Sequence, residues 1–121
     1  MSENDQYARG VAAFKAGDYD TAVEELEAVT KSDPANHKAF CYLGATYAAK
    51  QRYNAAIGAF KSAQQIAPGV ASIHYNIAQA YEAGGVYSEA EYEYGRALEI
   101  NPNYTLAQEA LAKLKKRLDH V

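Results

Sequence analysis

The sequence predicts an all-α fold, an α-solenoid of three helix-turn-helix units closed by a C-terminal helix, and three observations carry that prediction. The 121-residue chain repeats every 34 residues: Pro34, Pro68 and Pro102 are in step, as are Tyr19, Tyr53 and Tyr87, then Ala22, Ala56 and Ala90, then the bulky Leu26, Phe60 and Tyr94. A fixed period of this length marks stacked supersecondary units. Apolar residues recur at helical spacing within the period, as Phe40, Leu43, Gly44 and Tyr47 do, followed after a turn by Ala56, Ile57, Phe60 and Ala63. The halves are punctuated by glycine and then by proline.

The units run Glu3 to Asn36, His37 to Val70 and Ala71 to Tyr104, with Thr105 to Val121 as a tail, all within one domain over 3–121. Each first helix is expected to stop near Gly17 or Gly84-Gly85, because glycine takes the left-handed conformation without a side-chain penalty. The middle unit carries Gln51 at that place, a departure costing about 1 kcal/mol at most. Asp20, Asn54 and Ser88 then stand as expected N-caps of the second helices, since all three side chains accept hydrogen bonds from first-turn amides. Ser88 and Glu91 have capping-box spacing. At the far ends, "SDP", "IAP" and "INP" place a proline that pushes the residue before it out of the helical region. In the tail, Leu106, Ala107, Ala110, Leu111, Leu114 and Leu118 form one apolar stripe, predicting a capping helix over 105–118.

The small columns have a packing purpose. Gly10, Gly44 and Ala78 in the first helices, with Ala22, Ala56 and Ala90 in the second, let paired helices approach closely while the bulky column fills the space between them.

On these residues the chain resembles the tetratricopeptide repeat family, whose 34-residue unit carries an aromatic, Leu-Gly, Tyr, Ala, an aromatic and Pro. The middle unit matches with Phe40, Leu43-Gly44, Tyr47, Ala56, Phe60 and Pro68, and the third with His74, Ile77-Ala78, Tyr81, Ala90, Tyr94 and Pro102. The first keeps Gly10, Ala22, Leu26 and Pro34 but has Gln6, Arg9 and Ala13 where the family is apolar, as suits a first repeat whose outer surface meets water. The resemblance implies a right-handed superhelix with the first helices lining a concave groove, and a non-enzymatic protein-interaction module, an adaptor, scaffold or assembly factor, that holds a peptide or helix there.

The lining implied in this way comprises Tyr7, Val11 and Phe14 from the first unit, Lys38, Cys41, Tyr42 and Ala45 from the second, and Tyr75, Asn76, Gln79 and Glu82 from the third. Tyr7, Val11 and Phe14 share one helical face. Two readings of Tyr7 and Phe14 stand side by side, groove aromatics awaiting a partner or core closing the open end of the first repeat. Asn76 and Gln79 are suited to bond an extended peptide's backbone. Family members that serve heat-shock chaperones grip a C-terminal carboxylate with Lys, Asn and Arg; of the matching places Tyr7, Val11, Tyr42, Ser72 and Asn76, only Asn76 agrees. The expected ligand is therefore an apolar or aromatic protein segment. Tyr7→Ala and Tyr42→Ala are expected to abolish its capture, with changes at Glu24 and Glu27 as neutral controls.

Charge alternates along the chain. The first unit has 8 acidic and 3 basic residues, the second 4 basic and none acidic, the third 5 acidic and 1 basic, and the tail 4 basic and 2 acidic, giving a net charge of -3. This pattern favours ordered stacking and raises an alternative function, a homo-oligomeric scaffold joined through oppositely charged ends. Net acidity points away from nucleic acid. The acidic, polar residues at Met1 to Gln6 do not read as a secretory signal, and no run is long and apolar enough to span a membrane. The single cysteine, Cys41, agrees with a reducing, cytoplasmic setting.

Enzymatic chemistry, a metal, a cofactor or a small-molecule substrate finds no motif. His37, His74 and His120 are scattered, paired cysteines are absent, and Glu89, Glu91 and Glu93 read as a solvated helix face. His74 reads as a packed ring. Cys41 reads as a small lining residue more readily than as a reactive thiol, because nothing near it in sequence lowers a thiol pKa. Lys113, Lys115, Lys116 and Arg117 read as a solubilising end to the capping helix that suits the helix dipole.

Overall fold

The computed structural model describes residues 3–119, so His120 lies outside the described residues. It contains seven helices and no strand among those residues, and it divides into two compact units, Met1–Pro68 and Gly69–Val121. The first unit holds α1 (Glu3–Lys15), α2 (Tyr19–Ser32), α3 (His37–Ala49) and α4 (Tyr53–Ile66). The second holds α5 (Ala71–Ala83), α6 (Tyr87–Ile100) and α7 (Thr105–Asp119).

The turns inside the helix pairs are copies of one another. Gly17, Gln51 and Gly85 take the left-handed conformation, with φ of 80, 62 and 81°. The amides that follow, at Asp18, Arg52 and Val86, donate back to the carbonyls of Ala13, Tyr47 and Tyr81 at 2.8, 2.9 and 2.8 Å. This six-residue closure satisfies carbonyls that a helix end leaves orphaned. Gln51 thus accepts the strain that glycine avoids in the other two copies.

That closure also corrects the expected caps. Asp20, Asn54 and Ser88 sit inside the first turns of α2, α4 and α6, and the residues preceding those helices are Asp18, Arg52 and Val86. The turn ends on the residue after the left-handed one, and the next helix begins at once, leaving no room for a cap two places later. Of these three only Asp18 caps with its side chain, accepting from the Thr21 amide at 3.4 Å. The Ser88–Glu91 capping box does not form, since Ser88 is already helical. Between repeats, Asp33, Ala67 and Asn101 close α2, α4 and α6 one residue before each proline.

In the first unit α1 packs on α2, α2 on α3 and α3 on α4. Ala22, Leu26, Leu43 and Ala59 form the centre, flanked by Tyr7, Phe14, Val23, Tyr42 and Tyr47. The small column works as its spacing implies: a methyl at Gly10 would stand 2.7 Å from Leu26, and one at Gly44 would stand 2.7 Å from the Phe60 ring. Arg9, polar where the family is apolar, reaches Glu25 at 2.9 Å. Lys50 pairs with Asp20 across successive repeats, and this hydrogen bond holds the Asp20 carboxyl below its ordinary range. Tyr47 donates to Glu27; burial first, then that carboxylate, push its hydroxyl up to about 12.

In the second unit α5 packs on α6 and α6 on α7, around Ala78, Ala90, Tyr94 and Leu114. Two sequence readings need correction here. Glu93 is not solvated: its carboxylate lies 2.8 Å from Nδ1 of the buried His74, a hydrogen-bond partner that a buried acid requires. Leu106 leaves the apolar stripe of α7 and is 55% exposed, while Ala107 and Leu114 are fully buried.

Candidate functional site

The side chains expected to bind a partner fall into one group in each unit. In the first unit, Tyr7 and Phe14 stand two turns apart on α1, and both rings meet Tyr42 of α3. The Tyr7 and Tyr42 centroids are 6.2 Å apart and the Phe14 and Tyr42 centroids 5.8 Å apart, both edge-on, the arrangement favoured by ring quadrupoles. Phe14 also leans on Tyr19 at 6.0 Å. All three rings are half-buried: they pack against the Ala22–Leu26–Leu43 core yet keep an accessible edge. Tyr7 and Phe14 thus both pack on the core and remain partly exposed.

Burial, together with Tyr42 and Cys41, raises the Tyr7 hydroxyl above its ordinary value. Burial also pushes the Cys41 thiol up, away from the thiolate form. Val11 and Ala45 are half-buried and Lys38 is exposed.

In the second unit, the Tyr75 ring of α5 lies 5.9 Å from Tyr94 and 5.4 Å from Tyr104, three tyrosines in tilted contact. Tyr104 escaped the sequence reading; its signal was a large ring immediately before the first turn of the last helix. Gln79, expected to offer its amide to a peptide, already donates it to the Tyr94 hydroxyl, which in turn donates to Glu82 at 2.7 Å. That bond uses one amide hydrogen and leaves the second hydrogen and the carbonyl oxygen of Gln79 unengaged by it. Burial and the Glu82 bond raise the Tyr94 hydroxyl far above its ordinary value, so this relay stays protonated. Asn76 is half-buried.

A cleft of about 260 Å³ separates this face of α5 from α7, walled by Tyr75, Gln79 and Glu82 on one side and by Leu106, Glu109, Ala110 and Lys113 on the other. Exposure of Leu106 is explained by its place in that wall. Arg117, read as merely solubilising, donates to Glu82 at 3.4 Å and to the Tyr87 hydroxyl at 3.2 Å, with its guanidinium 5.2 Å from the Tyr87 ring centre. The control position Glu27 is half-buried and accepts from Tyr47, so it is not neutral; Glu24 and Glu89 are exposed and serve better.

Comparison with known proteins agrees with this geometry. Family models described as tetratricopeptide repeat match residues 7–71 and 47–114. The chain is 28% identical over 105 residues to Superkiller complex protein 3 of Mus musculus, covering 87% of this chain but 7% of that protein, so it spans a small fraction of that relative's length. Among solved structures, the first repeat domain of Spaghetti (RPAP3) bound to the HSP90 peptide SRMEEVD superposes with a TM-score of 0.90 at 23% identity, covering 97% of this chain and 93% of that one. The type III secretion chaperone SycD of Yersinia enterocolitica, in complex with a peptide of the translocator YopD, gives 0.89 at 21% identity, covering 94% and 92%. These likenesses show the fold, an all-α helical repeat.

Proposed function

The chain belongs to the tetratricopeptide repeat family, and from that premise we propose that it is a non-enzymatic protein-interaction module, an adaptor or scaffold whose first-helix faces hold an apolar or aromatic segment of a partner protein. The observation that carries this reading is the Tyr7–Phe14–Tyr42 cluster, three rings fixed by their contacts with one another and half exposed on the first unit. Pre-positioned aromatic edges lose little entropy on binding and gain area from an incoming side chain. In the second unit, Tyr75 supplies a ring, and the side-chain amides of Asn76 and Gln79 supply hydrogen-bonding groups for a peptide backbone.

The peptide complexes reported for Spaghetti and for SycD support the general mode. A carboxylate-gripping version is disfavoured, because Tyr7, Val11, Tyr42 and Ser72 stand where basic or amide side chains would be needed and only Asn76 fits.

Panning a displayed library of short protein segments on the domain tests the proposal. Recovered segments should be rich in aromatic and branched apolar residues and should lose about tenfold or more in affinity on Tyr42→Ala, as for a buried aromatic anchor, while Glu24→Ala and Glu89→Ala leave binding unchanged. Equal losses from both sets would refute a site on these faces. A second reading, a scaffold of like copies joined acid to base, draws on the Asp20–Lys50 pair, where oppositely charged repeats already meet. Light scattering that shows growth at low salt and none at high salt would favour it; a monomer in both would dismiss it.

A further inference from the structure

The third repeat carries a polar network where the other two carry hydrocarbon. Gln79, Glu82 and Tyr94 stand one period on from Ala45, Ala48 and Phe60, and two periods on from Val11, Phe14 and Leu26. Packing accounts for a bulky side chain at the last of these places, since Leu26, Phe60 and Tyr94 are all buried. It does not account for a hydroxyl there, nor for two polar partners in the same copy.

The bonds of this network run in one consistent direction. The Glu82 carboxylate can only accept, so the Tyr94 hydroxyl gives it its single hydrogen, at 2.7 Å. The Tyr94 oxygen is then left as an acceptor, and Gln79 must turn its nitrogen toward it, not its carbonyl. Arg117 donates to the other oxygen of Glu82 at 3.4 Å and anchors the far end. Gln79 itself is exposed, on the α5 wall of the cleft that faces α7. A surface side chain that would otherwise rotate freely is thus oriented from beneath, and its second N–H and its carbonyl oxygen keep a fixed relation to α5. A donor and an acceptor on one planar group match the N–H and C=O of a single residue in an extended chain, which are bonded together by one neighbour in a strand ladder. A helix interior cannot answer them, because its N–H and C=O groups are bonded to one another.

We propose that Tyr94 is a positioning residue of the partner site: its hydroxyl, held by Glu82, sets the Gln79 amide to take the N–H and C=O of one residue, so that the segment bound beside α5 lies extended. This rests on the reading that the first-helix faces hold a partner segment, and adds the backbone conformation that the second unit selects. Tyr94 is fully buried and cannot touch the segment, so any effect of its hydroxyl on binding passes through the groups it bonds.

The tightest segment recovered by panning, made as a synthetic peptide and titrated calorimetrically into the full chain, tests the proposal. Tyr94→Phe, which keeps the ring, should weaken binding about three- to tenfold, the worth of one net hydrogen bond, and Gln79→Leu should weaken it at least as much. The two changes together should cost no more than Gln79→Leu alone. N-methylation of one backbone amide of the peptide should weaken binding to the native chain and have no further effect on Gln79→Leu. A hydroxyl that only satisfies the core would move the melting temperature and leave these couplings at zero. In the free chain, the side-chain amide signals of Gln79 in a nitrogen–proton NMR spectrum should shift toward those of a solvated glutamine in Tyr94→Phe. Unchanged signals, additive losses, or an affinity indifferent to Tyr94→Phe while Tyr42→Ala still disrupts it would overturn the proposal and leave the reading beneath it standing. Failure to recover any segment would refute that reading, and this assignment with it.

Discussion

Adding one methyl group at Gly44 should destabilise the protein, and adding the same group at Gly58 should stabilise it. At Gly44 the new carbon would stand 2.7, 2.8 and 2.9 Å from three atoms of the Phe60 ring, roughly 1 Å inside ordinary carbon–carbon contact. Phe60 is 3% exposed, so the ring has no solvent to retreat into. Overpacking of this kind costs about 1–3 kcal/mol, and replacing a helical glycine by alanine returns about 1 kcal/mol. With the ring locked the overpacking cost falls in the upper part of that range, about 2–3 kcal/mol, so the net loss for Gly44→Ala should be about 1–2 kcal/mol, or a fall of about 4–8 °C at roughly 4 °C per kcal/mol for a chain of this size. At Gly58 the methyl meets nothing within 4 Å, leaving only the propensity gain and a rise of about 4 °C. Thermal melts followed by far-ultraviolet circular dichroism read both. Shifts of the same sign in the two variants would refute the close-approach explanation of the small column.

Three further outcomes follow from the structure. Asp18→Ala should cost about 0.5–1 kcal/mol in urea unfolding by removing the α2 cap, and Asp20→Ala should move the midpoint less; the reverse order would reinstate Asp20 as the cap. His74→Phe should destabilise by roughly 2–4 kcal/mol because it orphans the buried Glu93 carboxylate, and adding Glu93→Ala should recover most of that, since Phe40 and Ala59 occupy the equivalent places one repeat earlier; a double variant no better than the single would show that the pairing is immaterial. Tyr47 ionises at about 12 in the folded chain against an ordinary 10.0, so above 10 the unfolded state sheds its proton first and stability falls as pH rises toward 12, being fully present below 10. Urea midpoints on either side of that window should show a smaller alkaline loss in Tyr47→Phe, and an unchanged loss would remove the assignment.

The helix order and the positions of the turns were legible because each is written three times, and a left-handed turn or a proline stop depends on one residue in a fixed place. The caps were misread for a related reason. Asp20, Asn54 and Ser88 share a chemical type, while the actual cap column, Asp18, Arg52 and Val86, does not. The backbone closure after the left-handed residue sets where the helix begins, and two of these helices start without any side-chain help. Glu93 looked solvated because nearby residues in sequence say nothing of a partner 19 positions away. Aligning the repeats exposes the signal: Phe40 with Ala59 becomes His74 with Glu93, two departures in one copy. The ring contacts of Tyr7, Phe14 and Tyr42, and the relay from Gln79 through Tyr94 to Glu82, depend on how helices are rotated against each other. Spacing along a single helix does not fix that rotation.

The His74–Glu93 pair limits how this repeat array can be rearranged. A crossover that joins the front of the third repeat to the rear of the second would place His74 against the counterpart of Ala59, and the opposite crossover would set the counterpart of Phe40 against Glu93. The second product buries an acid with no hydrogen-bond partner and should fail to accumulate, whereas exchange of whole 34-residue blocks keeps both residues together. Crossovers of the second kind are thereby disfavoured, and exchange at the boundaries between helix pairs is the route that leaves the buried acid partnered.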